Sequence, residues 1–306
     1  MITYNHEHFI AQAIESVLIQ KTDFPIELII GEDCSTDGTR AIVKRYADAR
    51  PDVIHAFIRE GNVGMLENCR EVIAACRGKY IILIEGDDYW TEQSKLQQQF
   101  DFLEKHRDCV LCFHDTYVVK LDSNNGLVGK TPFYSTPPKS RLGFYDFVAG
   151  FYPHTAACLF LNDRTSLLPV LERKLKCYAL TLYYCVLANG GLAGFIPGVM
   201  SVYRVHAGGV FSSLSAEKQL QMANDALWPR RKYFSAYKQR KCFSARLAAN
   251  YTNLCIIQLR QGQIRGFIKS YCSALWFLCF PPNVPGVWNF TVRQVRFACR
   301  ALWGKA

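Results

Sequence analysis

The sequence predicts an α/β protein: a mostly parallel sheet flanked by helices, followed by a basic, all-helical C-terminal region. Three observations carry this. Strand-length apolar runs alternate with helix-spaced apolar residues through the first 105 positions, the pattern of a parallel sheet whose strands are joined by helices. After about residue 213 only helical patterning is left. Charge divides with it. Residues 1–225 hold all 26 acidic residues and 22 of the 36 lysines and arginines, while residues 226–306 hold 14 basic residues and no acid.

The elements follow in order. "MITYN" reads as the end of a strand, with about three strand residues present where a central strand needs about five; this predicts a start lying upstream, or an internal Met1. Ile10, Ile14, Val17 and Leu18 mark a helix over 7–20. "IELIIGE" (26–32) is a strand, and Ile42, Tyr46 and Ala49 place a helix over 39–49. "VIHAFI" (53–58) is a strand, and Leu66, Cys69, Ile73 and Cys76 repeat at helical spacing. "YIILIE" (80–85) is a strand, followed by a helix over 92–105. From 109 the pattern changes. "CVLCFHDTYVV" is a long strand, and residues 121–140, rich in Gly, Pro, Ser and Asn, read as a loop or flap. A short helix near 143–149, a strand "AACLFL" (156–161), a helix near 179–189 and the segment "VYRVHAGGV" (202–210) complete the first 212 residues. Beyond them, Leu247, Tyr251 and Leu254 share one helical face, and Ile264, Phe267, Ile268, Tyr271 and Leu275 share another. Arg293, Arg296 and Arg300 form a basic stripe.

Half of the 306 residues are apolar and 20% are charged, so the chain can bury a core and is not a disordered segment. The 13 cysteines are scattered, and Cys109-x-x-Cys112 has no second pair at zinc-ligand spacing. They read as buried thiols of a reducing cytoplasm. No signal peptide is visible, and the longest apolar run, "YCSALWFLCF" (271–280), is about half a bilayer span. The basic tail also carries Trp228, Tyr233, Phe234, Trp276, Phe277, Phe280, Trp288 and Trp303. Basic, aromatic and aliphatic residues together favour an anionic membrane surface over nucleic acid; the bland alternative is a solvated helical cap.

Chemistry concentrates at three strand ends: "TYNHE", "EDCSTDGTR" (32–40) and "EGDDYW" (85–90). A parallel sheet brings such loops to one edge, where ligands bind. Three carboxylates within four residues, Glu85, Asp87 and Asp88, repel one another and call for a positive partner. A divalent cation, Mg²⁺ or Mn²⁺, bridged by a diphosphate, meets that need. Asp33 can accept a hydrogen bond from a base N–H.

Taken in order, "TYNHEHFIAQAIESVLIQ", "ELIIGEDCSTDGTRAI", "GNVGMLENCREVIAACRGKYIILIEGDDYW" and "YRVHAGGV" resemble a family 2 glycosyltransferase over about residues 1–212. The resemblance implies the GT-A fold, with a Rossmann-like sheet and a DxD-type metal motif. It divides the chain into a nucleotide-sugar-binding half (1–118), an acceptor-side half (119–212) and the basic helical region (213–306). It implies a nucleotide-sugar donor, most often a UDP-sugar. Its uracil-binding acid falls on Asp33, with Thr3 and Tyr4 bordering the base and Ser35, Asn62 and Gly64 beside the nucleotide. The metal motif falls on Glu85, Asp87 and Asp88, with Glu replacing the usual first Asp. Tyr203 and Arg204 would close over the diphosphate, with His206 a further metal ligand. Transfer in this family is usually inverting, to an acceptor that here would be lipid-linked or a glycan at the cytoplasmic membrane face.

One feature departs from the family. Its base is usually an Asp at the start of the helix before the "YRVH"-like segment. Here that place, near Ala179 and Leu180, is apolar, and no acid lies between Glu172 and Glu217. Asp115 in "CFHD", beside His114, is the remaining candidate base. The missing acid also motivates a second reading, a non-catalytic nucleotide-sugar-binding or scaffold subunit. A nucleotidyltransferase would carry a Gly-rich, Lys/Arg-bearing first loop, which "TYNHEHF" is not.

Overall fold

The computed structural model describes residues 1–173, 179–210, 212–234 and 237–278. The chain divides into two compact units, 1–144 with 152–212, and 145–151 with 213–306. The basic stripe expected over residues 293–300 lies outside the described residues.

The first unit opens with β1 (Ile2–Thr3), α1 (Ile10–Leu18), β2 (Leu28–Glu32), α2 (Thr39–Ala49), β3 (Ile54–Ile58) and α3 (Met65–Ala75). Strands β1, β2 and β3 pair in parallel, with Ile2 opposite Gly31 and Leu28 opposite Ile54. Strand β2 is buried throughout, as a central strand covered on both faces should be. Helix α3 reaches it at Gly31, where an added Cβ would lie 2.0 Å from Asn68 Oδ1. Asn68 Nδ2 donates to the Gly31 carbonyl at 2.8 Å in that close approach.

Next come β4 (Tyr80–Ile82), β5 (Tyr89–Trp90) and α4 (Lys95–Lys105). The expected strand 80–85 stops at Ile82 as a regular element, but its continuation does not leave the sheet. Ile2 N donates to Ile84 O at 3.2 Å and Gly86 N donates to Ile2 O at 2.9 Å. This isolated parallel bridge carries the edge of β1 to the 85–88 loop.

The rest of the unit comprises β6 (Cys109–Leu121), β7 (Leu127–Pro132), β8 (Arg141–Leu142), β9 (Leu159–Leu161), α6 (Arg164–Leu171), α7 (Ala179–Leu187) and β10 (Leu192–Val205), with α5 (Phe144–Ala149) crossing into the second unit. The second sheet runs β4-β9-β6-β10-β5, with β7 on β6 and β8 on β10. Strand β10 lies parallel to β6, while β9 is antiparallel to both β4 and β6. Antiparallel partners thus join the parallel sheet in this half.

Two expectations change here. The segment 121–140 contains β7, paired antiparallel with β6 from Tyr117–Pro132 to Leu121–Leu127. The "DSNNG" string is a tight turn: Asp122 Oδ1 accepts from Asn124 N and Gly126 N, both at 2.8 Å, and Asn125 sits at φ 62°. Turn chemistry that closes a hairpin reads, without its partner strand, as an open loop. The helix α6 was not expected; Asp163 caps it by accepting from Thr165 N at 3.0 Å.

One core cluster joins Ile10, Ile14 and Val17 of α1 to Ile30, Val43, Ile54, Ile84 and Trp90. A second joins Leu103, Cys109 and Cys112 to Leu159, Ile196 and Met200. All ten described cysteines are free thiols.

In the second unit, α8 (Ala216–Tyr233), α9 (Tyr237–Arg260) and α10 (Ile264–Leu278) are the long helices. Leu247 and Leu254 are buried, as their shared face predicts. The stripe of α10 splits, because Ile268 and Tyr271 are exposed. Arg246 Nη1 donates to Ala149 O at 3.1 Å, tying the 145–151 segment to this unit. No described helix is long and apolar enough to cross a membrane.

Candidate active site

Three strand ends meet at one edge. After β1 the chain turns at Asn5, in the left-handed region at φ 56°, and after β2 it turns at Cys34, φ 59°. The two turns interlock. Asn5 N donates to Ser35 Oγ at 3.0 Å, Thr36 N donates to Asn5 Oδ1 at 2.8 Å, and His6 N donates to Thr39 Oγ1 at 2.7 Å. Asp37 accepts from Glu7 N at 3.1 Å while Glu7 accepts from Gly38 N at 2.7 Å. "TYNHE" and "EDCSTDGT" are therefore one structural piece.

Beneath it Glu32 is fully buried, accepts from Ser35 N at 2.7 Å and pairs with Arg40 at 3.2 Å. Asp33 is 2% exposed. Its Oδ1 accepts from Val63 N at 2.8 Å and its Oδ2 from Gly64 N at 2.9 Å. Asn62 Nδ2 donates to the Asp33 carbonyl at 3.0 Å. Asp33, Asn62 and Gly64 are brought together as expected, with the carboxylate fixing the loop before α3. Gly64, at φ 84°, has the backbone freedom this sharp entry needs. Thr3 O accepts from Asp33 N at 3.1 Å, and Tyr4 is exposed at the rim.

The carboxylates of the 85–88 loop separate into three environments. Glu85 Oε2 accepts from Thr155 Oγ1 at 2.6 Å. Burial pushes its carboxyl up to about 7, against the hydrogen bond from Thr155. Asp87 Oδ2 meets two imidazoles, His206 Nε2 at 3.1 Å and His6 Nε2 at 3.6 Å. Burial raises its pKa, but the hydrogen bond from His206 and the two imidazole charges outweigh this and hold it below the usual range. Asp87 Oδ1 is buried and has no hydrogen-bond partner among the described residues. Asp88 Oδ1 accepts from Arg204 N at 2.9 Å, and its Oδ2 lies 3.6 Å from His154 Nε2. Burial, then the charges of Asp87 and Glu85, push Asp88 well up.

Positive groups surround these acids. Arg204 donates from Nη1 to Asp87 O at 2.5 Å and from Nη2 to Gln12 Oε1. Its guanidinium lies 4.3 Å from the Tyr89 ring centroid and 5.0 Å from that of Phe9. The Tyr203 ring lies tilted against His154, their centroids 4.5 Å apart. Burial drives His154 down to about 4, and it lowers His6 as well, against the pull of Asp87. His6 Nδ1 lies 3.2 Å from Thr3 Oγ1, which directs its Nε2 toward Asp87. Gly86 makes room for this: an added Cβ would meet Thr3 Oγ1 at 2.6 Å and His6 Nδ1 at 2.9 Å.

The metal set expected from sequence is brought together in part. Asp87 and His206 meet, while Asp88 engages Arg204 and His154. Among the described residues, no three His, Cys, Asp or Glu side chains form a group that could hold a metal ion. Asp115 stands on β6 opposite Val199, beside an irregularity in the pairing with β10. Its Oδ1 accepts from Thr116 N at 2.7 Å and Tyr134 N at 3.3 Å, so its hydrogen bonds do not go to the 85–88 loop. His114, its neighbour, is fully buried and donates from Nδ1 to the Asp115 carbonyl, 2.6 Å away. Sequence reasoning missed His6, Gln12, His154 and Thr155. Only His6 had a signal, its place in "TYNHE"; the other three reach the site by long-range packing.

The fold and the strand-end cluster are of the GT-A type. The family model for glycosyl transferase family 2 matches residues 1–163, and the chain belongs to that family. An uncharacterised protein of Mycobacterium tuberculosis is 31% identical over 219 residues, 71% of this chain, and the chain spans 61% of that relative's length. The Escherichia coli enzyme WfaP, a UDP-Glc:α-D-GlcNAc-diphosphoundecaprenol β-1,3-glucosyltransferase, is 32% identical over 68% of this chain and 76% of its own. Among solved structures, Staphylococcus aureus TarS residues 1–349 with UDP-GlcNAc aligns over 88% of both chains, at 14% identity and TM-score 0.56. The mannosyltransferase PcManGT of Pyrobaculum calidifontis, with GDP-Man and Mn²⁺, aligns over all of this chain and 87% of its own, at 15% identity and TM-score 0.51.

Proposed function

We propose that the protein is a metal-dependent, inverting glycosyltransferase. It would move a sugar from a UDP-sugar to a lipid-linked or glycan acceptor at the cytoplasmic face of a membrane. The observation that carries this is the convergence of three strand ends on Asp87, flanked by His6, His206 and Arg204. The E. coli relative's use of UDP-glucose and a diphosphoundecaprenol acceptor supports the donor and acceptor classes.

Residues of this chain fit a divalent cation. Asp87 Oδ1 is a buried acceptor with no partner among the described residues, and a carboxylate with an imidazole is a donor set suited to Mn²⁺. Asp87 and His206 would hold the ion. When bound, it supplies charge for the departing diphosphate. Arg204 supplies positive charge from the protein, stacked on Tyr89 so that it stays in place. Asp33 retains acceptor capacity beyond its two backbone bonds and can take a base N–H, with Thr3, Tyr4 and Ser35 at the same edge. Asp88, through Arg204 N, holds the Tyr203–Arg204 segment against the loop. Asp115 is assigned the base: its Oδ2 makes no hydrogen bond among the described residues and can receive the acceptor hydroxyl's proton.

The test is calorimetric titration with UDP and UDP-sugars, with and without Mn²⁺. Binding that requires Mn²⁺ and disappears in Asp33→Ala and Asp87→Asn is expected. Donor binding of equal strength without metal, unchanged in Asp87→Asn, overturns the metal assignment. The absence of an acid between Glu172 and Glu217 favours a second reading, a donor-binding scaffold subunit. Donor binding with no turnover in any acceptor or hydrolysis assay would establish it.

A further inference from the structure

Helix α10 presents two chemically different faces. One packs on α9: Ser270 Oγ donates to Gln258 Oε1 at 2.9 Å, and the Phe277 ring stacks on Tyr251 at 5.8 Å. Ala274 and Phe277 are buried there. On the other face Arg265, Ile268, Lys269 and Cys272 stand at i, i+3, i+4 and i+7, all exposed. Tyr271 lies beside them, its ring stacked on half-buried Phe267 at 5.9 Å. Ile268 is 54% exposed and Tyr271 43%. A helix already anchored on one side does not need these apolar groups for its own packing.

We propose that this face of α10 is an interfacial anchor for an anionic phospholipid bilayer. Ile268 and Tyr271 enter the acyl boundary, while Arg265 and Lys269 lie at the phosphates. This rests on the membrane part of the function proposed above and gives it a location in the fold. Charge decides the occupant. Helix α10 carries no acid on this face; of the acids in the same unit, Glu217 bonds Gln258 on the packed side of α10, and Asp146 and Asp225 stand on α5 and α8. A second copy docked through the same face would set this basic face against another, a like-charge contact. A nucleic acid would use the arginine and lysine but leave Ile268 and Tyr271 in water. Only a surface with phosphate above and hydrocarbon below satisfies both sets of groups. At 15 residues, α10 lies on a bilayer and does not cross it.

The experiment is sedimentation of the full chain with phosphatidylglycerol–phosphatidylcholine vesicles and with pure phosphatidylcholine vesicles. The protein is expected to bind the anionic vesicles. The double variant Ile268→Gln/Tyr271→Gln should bind them at least about tenfold more weakly. Arg265→Gln/Lys269→Gln should lose on the order of 30-fold, from the contribution of two basic side chains near the surface. Both variants change exposed groups, and unchanged thermal melts check that they fold. Equal vesicle binding by both variants and the parent would overturn the proposal. So would an oligomer that the Ile268→Gln/Tyr271→Gln variant breaks while vesicle binding persists, or RNA binding that Arg265→Gln/Lys269→Gln abolishes while vesicle binding does not change. Donor titration in the same preparations separates the two readings. Lost vesicle binding with intact donor binding supports the anchor, and absent donor binding in the parent counts against the transferase without touching the vesicle result.

Discussion

Asp87 is the acid on which the site turns, because its neighbours hold it ionised in a buried place. Replacing it with Asn keeps the shape and removes the charge. Asp87→Asn is expected to lose the Mn²⁺-dependent binding of UDP, with a thermal midpoint within a few degrees of the parent; retained Mn²⁺-dependent binding would show that the cation sits elsewhere. A second residue outside the site makes a pH prediction. Lys95 is fully buried, with Nζ 2.6 Å from Gln99 Oε1 and 4.2 Å from the Trp90 ring centroid. Burial lowers its ammonium to about 7 from an ordinary 10.5. The folded state therefore sheds this proton near pH 7 and the unfolded state near 10.5. Lys95 costs stability below pH 7, and the cost fades as pH rises from 7 to 10.5. Its ceiling is of order 5 kcal/mol, at about 1.4 kcal/mol per unit. Lys95→Met should gain stability against the parent at pH 6 and lose that gain by pH 10. Its one drawback, Gln99 Oε1 without a donor, costs about 1–3 kcal/mol at both pH values, so the difference between them is the readout. Urea unfolding at the two pH values measures it, and a pH-independent difference would remove the burial argument.

At the scale of elements, much of the fold was legible. Alternation of strand and helix patterns placed β2, α2, β3 and α3 because each buries a periodic face against the sheet. What failed needed a partner to be seen. β7 is recognised by β6 beside it, not by its own exposed residues Leu127 and Val128. The same holds within the site. Asp33, Asn62 and Gly64 were expected near the nucleotide, and they do cluster. That Asp33 holds two backbone N–H groups, and that His154 arrives beside Asp88 from a segment 66 positions on, are facts of packing. Two predictions belong here. Gly31→Ala drives a Cβ into Asn68 and Val72 and should cost about 1–3 kcal/mol by overpacking; an unchanged urea midpoint would mean that α3 moves away freely. Asp33→Ala frees the Val63 and Gly64 amides, so their hydrogen exchange should accelerate while the β2 amides stay protected. Equal protection at 63 and 64 would show the loop to be held by something else.

The whole chain pairs a mildly acidic first part with an acid-free last part. Residues 1–225 carry a net of −4 and residues 226–306 a net of +14. Vesicle binding should therefore weaken as salt rises, because the surface potential of an anionic bilayer falls off within a screening length. Flotation at low and high salt checks this, and salt-insensitive binding would mean that apolar insertion alone holds the protein.

The two sheets of the first unit meet at Ile2, through the bonds to Ile84 and Gly86. The group around Asp33 stands on one side of that meeting and the 85–88 loop on the other. The backbone bonds of this seam are few, but the core of Ile10, Ile14, Ile84 and Trp90 crosses with them, so any exchange must keep both. Segments from relatives could be exchanged across the seam, one contributing the base-side edge and the other the acid loop, provided a short strand and an extended 84–86 backbone meet in register. Donor preference and acid-loop chemistry would then be inherited separately, and chimaeras cut on either side of the seam offer a route to new pairings of the two.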